Sequence, residues 1–365
     1  MPDYDSDIKR LEDEIANTKY NKRTQHAVGL LKAKLARLKE KQEERKKSGK
    51  KGEGYAVRRS GDASAIIVGF PSVGKSTLLN ALTNAHSETA DYAFTTTTVI
   101  PGMLEYEHAK IQILDVPGIL KGASDGTGRG KEVLSVLRSA DMALVVVEIS
   151  HPENLPTILD EIRSTNIRIN QSKPDVRLRK TARNGIRIGK TVKLDNLSDE
   201  TIIAILKEFR INNADVLIRE PITDDQLIDL VEGNKIYMPA VIVLSKADIV
   251  SDADAEMIRR EIGADCYISA QDGRGVEELK RLIFTRLKFI RIFLKQPGKE
   301  PDMEEPLIIR GGTTIGDVCE KLHKDFISKF KFARIWGRSS RFPGQKLLSL
   351  RHVLVDKDVL EIHLR

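Results

Sequence analysis

One octapeptide limits what this chain can fold into. Gly69-Phe-Pro-Ser-Val-Gly-Lys75-Ser76 fits the spacing G-x-x-x-x-G-K-[ST]. It stands between an apolar run, Ala65-Ile-Ile-Val68, and a stretch with Leu78, Leu79 and Leu82 at helical spacing. A strand, a glycine-rich loop and a helix in that order bring a row of backbone amides and a helix N-terminus to one point, where a phosphate chain fits. Gly69, Phe70, Pro71, Ser72, Val73 and Gly74 supply the wrapping backbone. Lys75 reaches the β- and γ-phosphates, the Ser76 hydroxyl is a Mg2+ ligand, and Thr77 completes the binding set.

Further short apolar runs follow at Ile111–Leu114, Ala143–Ile149 and Ala240–Leu244, with a weaker one at Cys266–Ile268. Helical stretches such as Lys131–Ser139 and Leu155–Arg163 separate several of them, which predicts a mostly parallel α/β sheet covered on both faces. Asp115 ends the second run, 40 residues after Lys75, and continues into Val116-Pro117-Gly118. A carboxylate there can hold a magnesium-bound water. Gly118 can give its amide to a γ-phosphate, a contact that hydrolysis removes. Between the two lies Phe94-Thr95-Thr96-Thr97-Thr98, which reads either as a mobile hydroxyl that ligates Mg2+ only beside a γ-phosphate or as a β-prone run of branched residues. After the Val241–Leu244 strand comes Ser245-Lys246-Ala247-Asp248. The Asp248 carboxylate can accept two parallel hydrogen bonds from N1–H and the exocyclic amine of guanine, a donor pair that adenine lacks. Ser269-Ala270 follows the next strand and can set a backbone amide against the guanine O6.

This ordered set resembles the translation-factor-class GTPases of the Obg group and, more narrowly, the DRG (developmentally regulated GTP-binding protein) family. The narrower likeness rests on Asp91-Tyr-Ala-Phe-Thr-Thr, Lys121-Gly-Ala-Ser-Asp-Gly-Thr-Gly-Arg-Gly, Trp336-Gly-Arg-Ser and Phe342-Pro-Gly-Gln, and it spans nearly the whole chain. The resemblance implies GTP hydrolysis to GDP with Mg2+, ribosome or RNA association, N-terminal helices, a small module inserted in the GTPase domain and a C-terminal TGS domain of β-grasp fold. It also implies Thr96 as the switch Mg2+ ligand, with Thr95 beside it, and leaves room for an accessory protein. Ser245 stands where the family pattern has Asn, so a looser hold on the guanine loop is expected. Ile119 stands where Ras-like proteins carry a water-positioning Gln, and an alkyl chain orients no water, so turnover should be slow. Obg-like proteins suggest stimulation by K+, but the asparagine that often marks it is Ser72 here. Gly122–Gly130 reads as a second switch segment or as a flexible surface loop.

Counting agrees with an insertion. Asp115 and Lys246 are 131 residues apart, roughly twice what a minimal domain of this kind needs, and the excess falls at 169–237. Residues 173–193 carry eight basic side chains against Asp175, while 195–232 carry ten acidic ones against Lys207, Arg210 and Arg219. The two halves can neutralise one another. The expected organisation is a basic helical region over 1–60, a GTPase domain over 61–295 with its insert, and a TGS-like domain over 296–365. In the last of these one helix (Ile315–Phe326) sits among strands at Leu307–Ile309, Ala333–Trp336 and Val359–Leu364. The stretch after Arg286 reads as helical up to the Gln296-Pro-Gly linker.

Residues 1–60 hold 17 Lys+Arg and 10 Asp+Glu, while the whole chain is +7, so the excess sits at the N-terminus. Between Lys19 and Lys51 the imbalance is 13 to 3, which suits a polyanion such as RNA or equally a solvated helix face. In the C-terminal domain Lys329, Lys331, Arg334, Arg338 and Arg341 alternate with Phe330, Phe332 and Trp336, a pattern that fits RNA or a strand with solvated cations. Cys266 and Cys319 stand 53 apart, no HExxH or clustered histidine occurs, and no apolar run approaches the ~20 residues of a membrane span. A cytoplasmic, monomeric switch is expected. The competing expectation is an RNA- or ribosome-binding scaffold that carries GTP as a static ligand.

Overall fold

The computed structural model describes residues 4–19, 21, 24–47, 60–83, 100–115, 137–195 and 197–365. In chain order, α1 (Tyr4–Asn17) and α2 (Gln25–Lys47) precede β1 (Ala63–Val68), α3 (Lys75–Thr83), β2 (Ile100–Tyr106), β3 (Ala109–Asp115), β4 (Met142–Glu148), α4 (Asn154–Ser164) and β5 (Ile167–Ile169). Next come β6 (Val176–Lys180), β7 (Ile186–Lys190), α5 (Asp199–Glu208), β8 (Ala214–Ile218), α6 (Asp224–Glu232), β9 (Ile236–Met238) and β10 (Ala240–Ser245). The chain ends with α7 (Asp252–Ile262), β11 (Cys266–Tyr267), α8 (Val276–Arg286), β12 (Phe289–Lys295), β13 (Leu307–Arg310), α9 (Ile315–Leu322), α10 (Lys324–Lys329), β14 (Phe330–Trp336), β15 (Gln345–Leu347) and β16 (Asp358–Leu364). Two compact units result: Tyr55–Asn170 with Met238–Arg365, and Met1–Gly54 with Gln171–Tyr237.

The first unit is built on a six-stranded sheet in the order β11-β10-β4-β1-β3-β2. Its neighbours are parallel except for the β2–β3 hairpin. Every residue of β1 is buried, as are Met142–Val147 of β4, which is why these strands read as unbroken apolar runs. Leu78, Leu79 and Leu82 of α3 and Leu279 and Ile283 of α8 pack into the same core. The chain leaves and re-enters this unit at neighbouring points, since the Asn170 amide donates to the Met238 carbonyl at 3.0 Å.

A second sheet in this unit has the order β13-β12-β16-β14-β15, with β12 and β16 parallel. Ile315, Val318 and Cys319 of α9 cover it beside Ile292, Ala333, Ile335 and Leu360. Two expectations are corrected here. The stretch after Arg286 is not helical beyond the end of α8: Phe289–Lys295 is a strand between β13 and β16, so the β-grasp sheet begins ahead of the Gln296-Pro-Gly linker. The turn that separates α8 from β12 rests on Lys288 at φ 54°, a left-handed position that no glycine announces. The expected single helix over Ile315–Phe326 is two, broken at His323 (φ −163°, ψ 137°). The His323 amide closes α9 onto the Cys319 carbonyl at 3.0 Å. Its Nδ1 accepts from the Asp325 amide at 3.1 Å and so caps α10.

The other unit combines the N-terminal helices with the inserted module. Its sheet is β6-β8-β7, with β8 antiparallel to β6 and parallel to β7. Ala33 of α2 is fully buried in one core with Ile202, Ile205, Val216 and Leu227. Lys32 pairs with Asp224 and Asp225 at 3.1 and 3.0 Å, and Arg37 pairs with Glu208 at 2.8 Å. Within the insert, Arg187 pairs with Asp215 and Lys190 with Asp199. The acidic half of the insert is therefore balanced partly by its own basic half and partly by α2.

Candidate nucleotide-binding site

The phosphate loop joins β1 to α3, and its glycines are demanded by geometry at two points. A Cβ on Gly69 would lie 2.5 Å from the Val146 carbonyl oxygen of β4. Gly74 sits at φ 89°, where only glycine is comfortable. Lys75 opens α3 and bends back over the loop, donating to the Gly69 and Phe70 carbonyls at 3.2 and 2.9 Å. Burial lowers its pKa while the Asp115 charge opposes that shift. Such a half-desolvated ammonium is held where a phosphate would replace the carbonyls as its partner.

Ser76, one residue on, donates its hydroxyl to Asp115 Oδ2 at 2.8 Å. Asp115 ends β3 and is buried. Its Oδ1 is buried too and has no hydrogen-bond partner among the described residues. Buried carboxylate oxygens are costly without a partner. An all-oxygen pair with one acceptor left over fits Mg2+ bound by the Ser76 hydroxyl, with Asp115 on a metal-bound water.

The Ser245–Asp248 loop, the candidate base reader, follows β10. Ser245 is buried, and its hydroxyl donates to the Val73 carbonyl at 2.7 Å, with the Val147 carbonyl at 3.3 Å. Lys246 takes a left-handed backbone (φ 57°) and pairs with Glu148 at 3.0 Å. Its hydrogen bond holds the Glu148 carboxyl below the usual range. The Ala247 amide donates to the Ile268 carbonyl at 3.0 Å, which ties this loop to the one that carries Ser269 and Ala270. Asp248 remains exposed, Ser269 is buried and Ala270 half-buried. Lys75, Ser76, Asp115, Ser245, Lys246, Asp248, Ser269 and Ala270 thus all lie at or just after the carboxyl ends of parallel strands, the edge of an open α/β sheet where ligands bind. Thr95, Thr96 and Gly118, with Ile119 and Gly122–Gly130, lie outside the described residues. Glu148 escaped the sequence reading. Its signal was a lone carboxylate ending the apolar run of β4, in register with Ser245.

Residues 64–180 match the family described as 50S ribosome-binding GTPase, 183–289 match the C-terminal region of that domain, and 290–364 match the TGS domain. Human developmentally-regulated GTP-binding protein 2 is 39% identical over 357 residues, covering 97% of this chain and 98% of the relative. The chain belongs to the DRG family. Other relatives are as fully covered: developmentally-regulated G-protein 3 of Arabidopsis thaliana is 40% identical over 97% of both chains. An uncharacterized GTP-binding protein of Methanocaldococcus jannaschii is 50% identical over 98% of this chain and 92% of its own length. As a DRG-family member it is a GTP-binding protein of the Obg-type GTPase class, with GTP as substrate, GDP as product and Mg2+ as the usual metal. Among the described residues no helix is long and apolar enough to cross a membrane.

Proposed function

We propose that this DRG protein hydrolyses GTP slowly and works in the cytoplasm as a switch whose nucleotide state sets its grip on RNA or the ribosome. The observation that carries the catalytic part is the Ser76–Asp115 pair with its unpartnered buried Oδ1. Mg2+, held by Ser76 and by Thr96 with Asp115 on its water, would supply charge neutralisation between the phosphates. Lys75 binds the phosphate oxygens, Gly69–Gly74 wrap the chain, and Asp248 selects guanine. No side chain is assigned as general base. Positioning and electrostatics suffice for phosphoryl transfer, and Ile119 keeps the unaided rate low. A monovalent cation such as K+ or a partner would supply what Ile119 does not.

The partner half rests on the family description over residues 64–180 and on the basic residues of 19–51 and the TGS domain. Co-sedimentation with ribosomes in GDP against a non-hydrolysable GTP analogue, paired with single-turnover hydrolysis with and without ribosomes, tests both halves. Tighter sedimentation with the analogue and faster hydrolysis on ribosomes are expected. Equal sedimentation in both states and an unchanged rate would favour the scaffold with a static nucleotide.

A further inference from the structure

The three-stranded sheet of the inserted module has one face against its helices and one that none of the described residues covers. Val176, Leu178, Ile186 and Ile188 turn toward the apolar core. The alternate residues, Arg177 and Arg179 of β6 and Arg187 of β7, are exposed. Register fixes their arrangement: Arg179 and Arg187 flank Asp215 of the central strand, while Arg177 and Gly189 flank Leu217. Strand spacing puts Arg179 and Arg187 about 10 Å apart at their backbones, and Arg177 about 7 Å along from Arg179.

Charge pairing separates this face from α2. Lys32, Arg37 and Lys39 of α2 are held by carboxylates of the same unit. On the sheet, Asp215 is the one carboxylate among the outward strand residues, and Arg187 holds it at 2.8 Å. Arg177 and Arg179 have no acidic partner among the described residues, and neither does Arg183 in the loop between β6 and β7. Several guanidiniums on one flat surface, set against the single carboxylate of Asp215, repel one another, and a polyanion relieves that repulsion.

From this we infer that the outer face of the β6-β8-β7 sheet is an RNA-binding surface that grips the phosphate backbone of a folded RNA. The inference deepens the RNA half of the proposed function and rests on it. Among the described residues no aromatic side chain lies on the face to stack on a base, so the contacts are to phosphate and independent of sequence. The planar guanidinium forks of Arg177 and Arg179 suit phosphate oxygens bidentately.

The test is binding of the full-length chain to a labelled 20-base-pair RNA duplex across a salt series. Arg177→Gln/Arg179→Gln is compared with Arg177→Lys/Arg179→Lys and with Asp215→Asn. The Gln pair should weaken binding at least tenfold, and the slope of log affinity against log salt should become shallower by about 2, near ~0.9 for each phosphate no longer neutralised. The Lys pair should keep most of the slope, and Asp215→Asn should tighten binding severalfold. Unchanged GTP binding and unfolding midpoints confirm that the variants fold. An affinity within twofold of the unmodified chain in the Gln pair overturns the surface while leaving the switch reading intact. No salt-dependent binding by the unmodified chain overturns both. Capture by phosphatidylserine vesicles with the same arginine dependence and equal strength overturns the assignment to RNA.

Discussion

The Ser245 hydroxyl donates to the main-chain carbonyl of Val73 at 2.7 Å, so the Ser245–Asp248 loop is bolted directly to the Gly69–Gly74 loop. An asparagine is usual at this place, and the shorter serine still reaches because β10 carries it, buried, up to the phosphate loop. Ser245→Ala would leave the Val73 carbonyl without that donor. The expected loss in nucleotide affinity is about 1–2 kcal/mol, roughly five- to thirtyfold. Dissociation kinetics of a fluorescent GDP analogue read it, and equal off-rates would show that the bolt does nothing for binding.

Asp248 is the exposed carboxylate of the same loop. Replacing it by Asn turns an acceptor pair into one acceptor and one donor. One of the two donors of guanine then meets an N–H, and affinity for GTP should fall by about 2 kcal/mol or more, which is more than tenfold. Xanthine carries a carbonyl where guanine has its amine, so XTP should gain on GTP. A competition assay in which Asp248→Asn keeps the original preference would remove Asp248 from base selection.

The described part of the candidate nucleotide site was legible because Lys75, Ser76, Asp115, Ser245, Asp248 and Ser269 each end or follow a buried parallel strand. Such strands are continuous apolar runs, so Asp115, Ser245 and Ser269 stand out as polar residues at the point where each run stops. The β12 strand was not legible. Phe289-Ile-Arg-Ile-Phe-Leu-Lys follows α8 with neither glycine nor proline between, because Lys288 itself takes the left-handed turn. The destination of α2 was hidden for another reason. Its buried contact is made by small residues, Ala33 with Ala36, and its partners Ile202 and Ile205 lie about 170 positions away. No local periodicity encodes a pairing at that separation. The charge pattern of the insert showed neutralisation but could not say that α2 takes part in it.

Burial pushes the Cys266 thiol up to about 12, helped by the charges of Glu278 and Asp265. The folded value lies above the ordinary thiol value of 9.0, so the folded state holds the proton that the unfolded state gives up. This contribution to stability is complete below pH 9 and is lost as pH rises from 9 toward 12. Cys266→Ala should therefore flatten the fall of unfolding midpoint with pH in that window relative to the unmodified chain. At about pH 8 a disulfide reagent should label neither Cys266 nor Cys319, which burial also shifts upward, until the chain is unfolded. Rapid labelling of Cys266 in the native protein would contradict its burial beside β10 in the core that holds Leu279 and Ile283.

Because α2 shares a core with the insert, removing residues 1–50 is a poor test of charge alone: the deletion also strips Ala33 from the Ile202–Ile205–Leu227 cluster. Point substitutions separate the two effects. Arg37 and Glu208 are 2.8 Å apart and each side chain is only 22% exposed. Arg37→Glu sets two carboxylates against each other there and should destabilise the unit by about 1–2 kcal/mol. Adding Glu208→Arg reverses the pair and should recover most of that loss, since the geometry needs opposite charges in either order. Hydrogen exchange of the α5 and β8 amides in the full chain reports on this unit and not on the nucleotide sheet. Protection that falls in the single variant and returns in the double is expected. A double variant as unprotected as the single would mean that Arg37 works through its packing and not through its charge.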